Sequence, residues 1–143
     1  MSHPLTPEAT AAAIDRLRPV LASLLAQPDV GRDGLALSIA CEDVTGTPVE
    51  LGDFTIGDLS SNPYPNGQIA RQKRGLSQRK RMAGAMVPSC ERDPERDSAW
   101  TGSAWISGVA VGCAGLTEAQ DGLVAHWVAH ALLCEAGMPP HAP

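Results

Sequence analysis

The segment from Val109 to Asp121 constrains the fold of this 143-residue chain more than any other. Valines alternate with small residues in its first half, which predicts a buried strand, and Gly112 and Gly115 permit close backbone approach or a positive φ. Thr117 and Gln120 then form the pattern of a capping box ahead of an apolar helix. A strand, a glycine turn and a helix N-terminus in this order direct unpaired backbone N–H groups to one end of the sheet. An anionic group, such as a carboxylate or a propionate, could bind there.

The length favours a single domain over residues 1–143, with residues 1–5 and 138–143 as loose termini. Hydrophobic residues make up 43% of the chain but aromatic residues only 3%, so we expect Ala, Val and Leu to fill the core. The sequence shows no long apolar run and no signal-peptide pattern at its start. We therefore expect a soluble, cytoplasmic protein without a membrane partner.

The remaining pattern predicts helices and strands in alternation around two hairpins. Thr6 and Pro7 begin a helix that Pro19 should kink or split and that ends before Pro28. The later predicted elements are a strand over 35–42, a returning strand over 48–51, an exposed connection over 52–67, a helix over 68–82, a polar loop over 88–98, a strand pair over 99–112 and a final helix over 118–136 with Gly137 after its end. This order predicts an α/β (α+β) fold with an antiparallel sheet flanked by helices.

Basic residues concentrate in the predicted central helix, although the net charge of the chain is −5. They are Arg71, Lys73, Arg74, Arg79, Lys80 and Arg81. Such a cluster can bind an anionic ligand, bind nucleic acid, or form a solvated helix face. The acidic overall charge and the lack of interleaved aromatic residues argue against nucleic acid, and the solvated face is the most ordinary interpretation.

The final helix carries a candidate pair of metal ligands. Its predicted apolar stripe is Val124, Trp127, Val128, Ala131 and Leu132. Measured from that stripe, His126 points to solvent, His130 lies at the flank and Cys134 approaches the core. His126 and His130 are four residues apart, as in pairs that hold a metal or a haem iron, although two surface histidines are the more ordinary interpretation. Trp127 stands where a zinc hydrolase of the His-Glu-x-x-His type needs its glutamate, which excludes that chemistry.

Three tryptophans are conspicuous in a chain with so few aromatic residues. Trp100, Trp105 and Trp127 either line a flat apolar pocket for a planar ligand or fill the core, and the sequence leaves both interpretations open. The four cysteines form no Cys-x-x-Cys pair, so we expect reduced thiols, mostly buried as small hydrophobic residues.

Three segments together resemble the GlcG/HbpS-like haem-binding family. Val109–Asp121 is similar to the family's segment before its last helix, with matches at Ala110, Gly112, Gly115, Thr117, Gln120 and Asp121. Ile69–Lys73 resembles the family's Ile-Ala-x-x-Lys motif, and the hairpin from Leu37 to Leu51 resembles its Ile-Ala-x-x-Asp-x-x-Gly strand pair. The resemblance implies a profilin-like sandwich, assembly into homo-oligomers and, in some members, binding of haem or a related tetrapyrrole.

The chain also departs from the family pattern. Ala114 stands in place of the usual Ser, and Leu76 in place of a Thr after the motif lysine. The connection over 52–67 differs from the family's usual Asp-Gly-Ala stretch. No histidine occurs between His3 and His126, so an axial haem ligand in the early part of the chain would be His3 or another residue type.

The leading functional hypothesis is a small-ligand-binding protein that forms a homo-oligomer and binds haem or another planar, carboxylate-bearing ligand. Its expected ligand-binding residues are Lys73, Trp105, Gly112, Gly115 and Thr117. Lys73 and the turn over 115–117 would meet the anionic group, while Trp105 would pack on the apolar body.

Two alternatives from other functional classes stay open. One is an enzyme of the same fold that acts on a small carboxylic acid, with Lys73, Glu42, Asp43 or His130 as acid or base. The other is a subunit that binds a protein partner through the surface around Trp105.

Overall fold

The computed structural model describes residues 5–136, which form three α-helices, two short 3₁₀ helices and four strands. In chain order these are α1 (Pro7–Leu25), β1 (Gly34–Glu42), β2 (Pro48–Gly57), α2 (Asn66–Lys80), the 3₁₀ helices Gly84–Met86 and Ser89–Glu91, β3 (Ser103–Ile106), β4 (Val109–Ala114) and α3 (Glu118–Glu135). The predictions for His3, Gly137 and the loose termini 1–5 and 138–143 concern residues outside this range, apart from Leu5.

The strands form one antiparallel sheet in the order β2-β1-β4-β3. Helices α1 and α3 cover one face of the sheet, and α2 covers the other. The predicted α/β (α+β) class, an antiparallel sheet flanked by helices, is confirmed. The finer assignment to a profilin-like sandwich stays a prediction.

The two faces of the sheet differ in the size of their side chains. In β1, Leu35, Leu37 and Ile39 pack into the main hydrophobic core beneath α1 and α3. The alternate positions of β1 and β4, which face α2, carry Ala, Ser or Gly. Strand β1 is buried along nearly its whole length. Because the residues on the α2 face are small, a helix backbone can approach the sheet closely on that face only.

Helix α2 lies in direct backbone contact with β4 at Gly112. A Cβ atom at this position would lie 2.0 Å from the carbonyl oxygen of Ala70 and 2.7 Å from the amide nitrogen of Arg74. No side chain fits into that space, so the glycine is required by the packing of the helix on the strand.

Each of the six basic residues of the central segment pairs with a carboxylate from elsewhere in the chain. The pairs are Arg71 with Asp53, Lys73 with Asp121, Arg74 with Glu50, Arg79 with Asp97, Lys80 with Glu91, and Arg81 with Glu42. Lys73 and Arg74 are buried, so the expectation of a solvated helix face is wrong for these two residues. The reason is that Lys73 and Arg74 lie on the side of α2 that faces the sheet, where their ion pairs help to fix the helix in place.

Two predicted element boundaries are corrected. Pro19 lies inside a continuous α1 and does not split it, because the buried residues Ile14 and Leu21 on either side hold both halves on the sheet. Strand β2 runs to Gly57, so residues 52–57 are paired with β1 and are not part of an exposed connection. A bulge opposite Ile39 and Ala40, where Gly52 has a φ of +140°, lets the pairing continue beyond the point where the local sequence indicates a turn.

The buried stripe of α3 is rotated relative to the predicted one. It consists of Val124, Ala125, Val128, Ala129, Leu132 and Leu133. Trp127 is 40% exposed and Cys134 is exposed, because the small Ala125 and Ala129 face the sheet instead. His126 is half-buried, with Nδ1 2.8 Å from the Gly122 carbonyl oxygen, and His130 is exposed. Within residues 5–136, no helix has the length and apolar character needed to cross a membrane.

Replacing Gly112 by Ala should destabilise the fold by about 3 kcal/mol, the upper end of the range for overpacking, because the new methyl group meets helix backbone that has no room to move. Chemical denaturation measures this loss. Gly122→Ala is the matched control: it lies inside α3 with no atom within 4 Å of the new Cβ, and it should raise stability by up to about 1 kcal/mol. Equal effects of the two substitutions would contradict the described contact between α2 and β4.

Asp53 should make the fold sensitive to acid. Burial acts to raise the pKa of Asp53, but hydrogen bonds from Ser38 and Arg71 and the charges of Arg71 and Arg74 outweigh it, so the pKa is lowered. A lowered pKa contributes stability above the unfolded-state pKa, and this contribution is lost as the pH falls through the folded-state pKa. The unfolding free energy of the wild type should therefore fall more steeply below about pH 4 than that of Asp53→Asn. If the unfolding free energies of the two proteins changed with pH in parallel, the Asp53 contacts would not contribute to the stability of the fold.

Candidate functional site

A cleft of about 400 Å³ opens where β4 ends and α2 and α3 begin. Four segments that are distant in sequence form its walls: the loop after α1, the loop before α2, the loop before β3 and the turn between β4 and α3. Its lining residues are Arg32, Asn62, Pro63, Tyr64, Asn66, Ile69, Lys73, Trp100, Ala114, Gly115, Leu116, Thr117, Glu118 and Asp121.

A buried ion pair between Lys73 and Asp121 forms part of this lining. Lys73 Nζ donates to Asp121 Oδ2 and to the Cys113 carbonyl oxygen, both at 2.9 Å, and the two side chains are 2% and 3% exposed. Asp121 Oδ1 accepts a hydrogen bond from the Leu116 backbone N–H at 3.1 Å. Burial raises the pKa of the Asp121 carboxyl, and the Lys73 ammonium opposes that rise without cancelling it. The pair holds the turn between β4 and α3 in place.

Cys113 lies beside this pair but is not a nucleophile. Its Sγ is 3.4 Å from Asp121 Oδ1, to which it donates. Complete burial raises the pKa of the Cys113 thiol well above its usual value, and the charge of Asp121 raises it further. The thiol therefore stays protonated at neutral pH, and only a thiolate reacts readily.

Two aromatic rings stand at the mouth of the cleft. Tyr64 and Trp100 pack edge to face, with ring centroids 5.5 Å apart and planes inclined at 71°. They remain 56% and 45% exposed, respectively. Two of the five aromatic side chains in the sequence therefore lie at this opening and not in the core. Large rigid rings in such a position provide contact area for a flat apolar molecule.

Asn66 contributes an unpaired amide to the cleft. Its side chain is only 6% exposed, and its Nδ2 atom is buried without a hydrogen-bond partner among residues 5–136. A buried donor without an acceptor costs about 1–3 kcal/mol. Asn66 begins α2, whose N-terminus has no side-chain cap, so further backbone N–H groups are free beside it. Because Asn66 lines the cleft, a small rotation of its side chain would bring this donor to an acceptor oxygen of a molecule in the cleft.

The structure brings together some of the predicted site residues. Lys73, Gly115 and Thr117 all line the cleft, and Thr117 and Gln120 form the predicted capping box at the start of α3. The charge of Lys73 is already balanced by Asp121, so Lys73 does not offer a free ammonium to a ligand.

The other predicted residues lie outside the cleft. Gly112 is covered by α2. Trp105, on β3, packs beneath the Arg81 guanidinium, which is 5.9 Å from its ring centroid. His126 and His130 are on the middle and later turns of α3. Within residues 5–136, no group of three or more His, Cys, Asp and Glu side chains is placed to hold a metal ion.

The acid and base candidates of the enzyme hypothesis do not form a cluster. Glu42 pairs with Arg81, and Asp43 accepts hydrogen bonds within its own turn, both at the end of β1 opposite the cleft. His130 is exposed on α3, and Lys73 is in the buried ion pair. The enzyme hypothesis therefore gains no support from this arrangement.

Arg32, Tyr64 and Asn66 line the cleft but were not predicted from the sequence as site residues. Tyr64 and Asn66 belong to the stretch Asn62-Pro63-Tyr64-Pro65-Asn66-Gly67, which the sequence marks only as an exposed connection. A lone tyrosine between two prolines is a signal that could have singled out this loop, since such a loop holds a ring rigidly at the surface. No local signal distinguishes Arg32 from other loop arginines.

No known protein-family model matches this chain, and a search of curated proteins finds no relative with a significant match. The resemblance to the GlcG/HbpS-like family therefore stays a prediction carried by the motif residues alone.

Replacing Lys73 by Met should cost about 3–5 kcal/mol of unfolding free energy, because the Asp121 carboxylate would stay buried without its partner. The double variant Lys73→Met/Asp121→Asn should lose less unfolding free energy than Lys73→Met alone, because it leaves no unpaired charge buried. Lys80→Met, which breaks an ion pair of 3.7 Å at the surface, is the control and should change stability by less than about 1 kcal/mol. Urea denaturation at neutral pH compares them, and a loss for Lys73→Met no larger than for Lys80→Met would contradict the role of the pair.

Proposed function

We propose that this chain is a small-ligand-binding protein and that the ligand occupies the cleft between the first turns of α2 and α3. The observation that carries the proposal is the Asn66 amide, which is buried, unpaired among the described residues and part of the cleft lining. Buried polar groups in native proteins nearly always have a partner. Four buried side-chain polar atoms among the described residues lack a partner, and Asn66 Nδ2 is the one that belongs to a residue of the cleft lining. A ligand in the cleft would explain this unpaired atom.

The size and lining of the cleft support a compact, flat ligand. A volume of about 400 Å³ lies at the lower end of the range for small-molecule sites. Tyr64 and Trp100 at the mouth, with Ile69 and Leu116 in the walls, offer apolar contact to its body. Asn66 offers a donor to a carbonyl or carboxylate oxygen. This pattern of apolar walls with few polar groups is typical of binding sites in which the polar groups fix the orientation of the ligand.

Haem, which the resemblance implies, fits this lining poorly. Among the described lining residues Tyr64 is the one side chain of a type that commonly ligates haem iron in proteins, and it lies at the exposed mouth. Neither His126 nor His130 is part of the lining. A smaller planar ligand that carries a carboxylate suits the cleft better. Membership of the GlcG/HbpS-like family, the homo-oligomeric state and the cytoplasmic location remain proposals that rest on the sequence.

Asn66→Leu should weaken binding of 2-naphthamide, a neutral flat probe with an acceptor oxygen, by about tenfold, because a hydrogen bond to a buried donor is lost. The same substitution should leave the free protein at least as stable, because it removes an unpaired buried donor and breaks no hydrogen bond within the described fold. Titration followed by ¹H–¹⁵N NMR gives the affinity and places the probe, and denaturation gives the stability.

Ser77→Ala is the matched control for this experiment. Ser77 Oγ shares a buried hydrogen bond of 2.7 Å with Ser103 Oγ outside the cleft, so its loss should reduce stability and leave binding unchanged. Haemin is the competing probe: a saturable, sharpened Soret band at one haem per chain would favour haem over the smaller ligand. Shifts by 2-naphthamide that spare the cleft residues, or affinity that Asn66→Leu leaves intact, would overturn the proposed site.

A further inference from the structure

We infer that the cleft selects a monoanionic ligand, an aromatic carboxylate whose charged group is held by the Arg32 guanidinium while its ring lies against Tyr64 and Trp100. This inference rests on the proposed function, since it names the class of ligand for the same cleft. It differs from the expectation drawn from the sequence, in which Lys73 provides the positive charge.

The distribution of ion pairs singles out Arg32. Eight of the eleven lysine and arginine side chains are paired with a carboxylate. Within residues 5–136, the three without such a partner are Arg32, Arg92 and Arg96. Of these, Arg32 alone lines the cleft. In a chain of net charge −5, a cation that is left without an internal partner at the edge of a cleft is the natural position for a ligand's negative charge.

The acidic neighbours of Arg32 are held by other groups. A smaller pocket beside the cleft is lined by Arg32, Asp33 and Asp58, and among residues 5–136 neither carboxylate forms an ion pair with Arg32. Asp58 Oδ1 accepts from the Ser60 backbone N–H at 2.9 Å, and Asp33 Oδ2 accepts from the Ser61 hydroxyl at 3.5 Å. The five N–H donors of the Arg32 guanidinium therefore remain available to a ligand.

The other charges of the lining limit the ligand to a single negative charge. Lys73 and Asp121 balance each other inside the fold. Glu118 keeps its carboxylate at the cleft, where Oε1 accepts from the Thr101 backbone N–H at 2.8 Å, and it would repel a second negative charge. The uncapped N-terminus of α2 adds a partial positive charge next to Asn66. This balance favours a monoanion over a dianion such as a phosphate ester.

A carboxylate also fits the shape of the donors. The planar guanidinium fork of Arg32 matches two carboxylate oxygens, and such charge-assisted pairs are about twice as strong as neutral hydrogen bonds. Asn66 is an additional donor in the cleft lining, and backbone N–H groups of the first turn of α2 lie beside it. A flat ring attached to the carboxylate would then extend toward the two aromatic rings at the mouth.

The test compares 2-naphthoate with its neutral amide, 2-naphthamide, by isothermal titration calorimetry. We expect the wild type to bind the carboxylate at least about tenfold more tightly than the amide, because one charge-assisted pair is added. Arg32→Gln should remove this preference and leave the affinity for the amide within about twofold. Arg96→Gln is the matched control, since Arg96 is also exposed and without an ion pair but lies outside the cleft.

The outcomes separate this inference from the proposed function. Equal affinity of the wild type for the two probes, or a preference for the carboxylate that survives in Arg32→Gln, overturns the inference and leaves the ligand-binding cleft standing. A loss of preference in Arg96→Gln as large as in Arg32→Gln also overturns it, because the effect would then come from overall charge. Failure of both probes to bind overturns the proposed site for flat aromatic ligands, and the inference falls with it.

Discussion

The buried ion pair between Lys73 and Asp121 links the two helices that lie on opposite faces of the sheet. Lys73 belongs to α2 on one face and Asp121 belongs to α3 on the other. The Cys113 carbonyl of β4 also accepts a hydrogen bond from Lys73. Two charges in a low-dielectric interior are tolerated only when each has the other and further hydrogen bonds, as is the case here. The pair therefore sets the position of the middle of α2 relative to the first turn of α3. The cleft lies at that position.

The close packing of α2 on the sheet allows the Lys73 side chain to contact Asp121. A lysine on α2 contacts Asp121 because the helix backbone lies directly on Gly112 and on the alanines beside it. Larger residues at these positions would lift the helix from the strand and separate the charges. The outer pairs, such as Arg71 with Asp53 and Arg74 with Glu50, then hold the flanks of the helix to β2. A strongly basic helix in an acidic protein is thus explained mainly by the fold and not by an external partner.

In the proposed function, the groups that the fold leaves unpaired are the ones that would bind the ligand. Among the described residues Asn66 and Arg32 keep donors free at the cleft. The neighbouring carboxylates of Asp58 and Glu118 accept hydrogen bonds from backbone N–H groups. A buried donor stays unpaired, at a cost in free energy, when a molecule without a matching acceptor binds in the site. Such a donor therefore favours ligands that carry the acceptor. Under the proposed function, the exposed rings of Tyr64 and Trp100 would add contact area but little selectivity. Selectivity in this cleft is therefore proposed to come from its polar groups.

The local elements can be read from the amino-acid sequence alone, because their signals lie within a few residues of one another. Thr117 and Gln120 specify the start of α3, alternating residues specify β1 and β4, and Gly115 marks the turn between β4 and α3. In contrast, the packing of whole elements determines which charges are neutralised and which residues face the cleft. Lys73 meets Asp121 across 48 positions, and Arg32 becomes a cleft residue only when the loop after α1 approaches Asn66 and Trp100. Local patterns carry no information about such contacts, because the contacts depend on how whole helices and strands pack against each other.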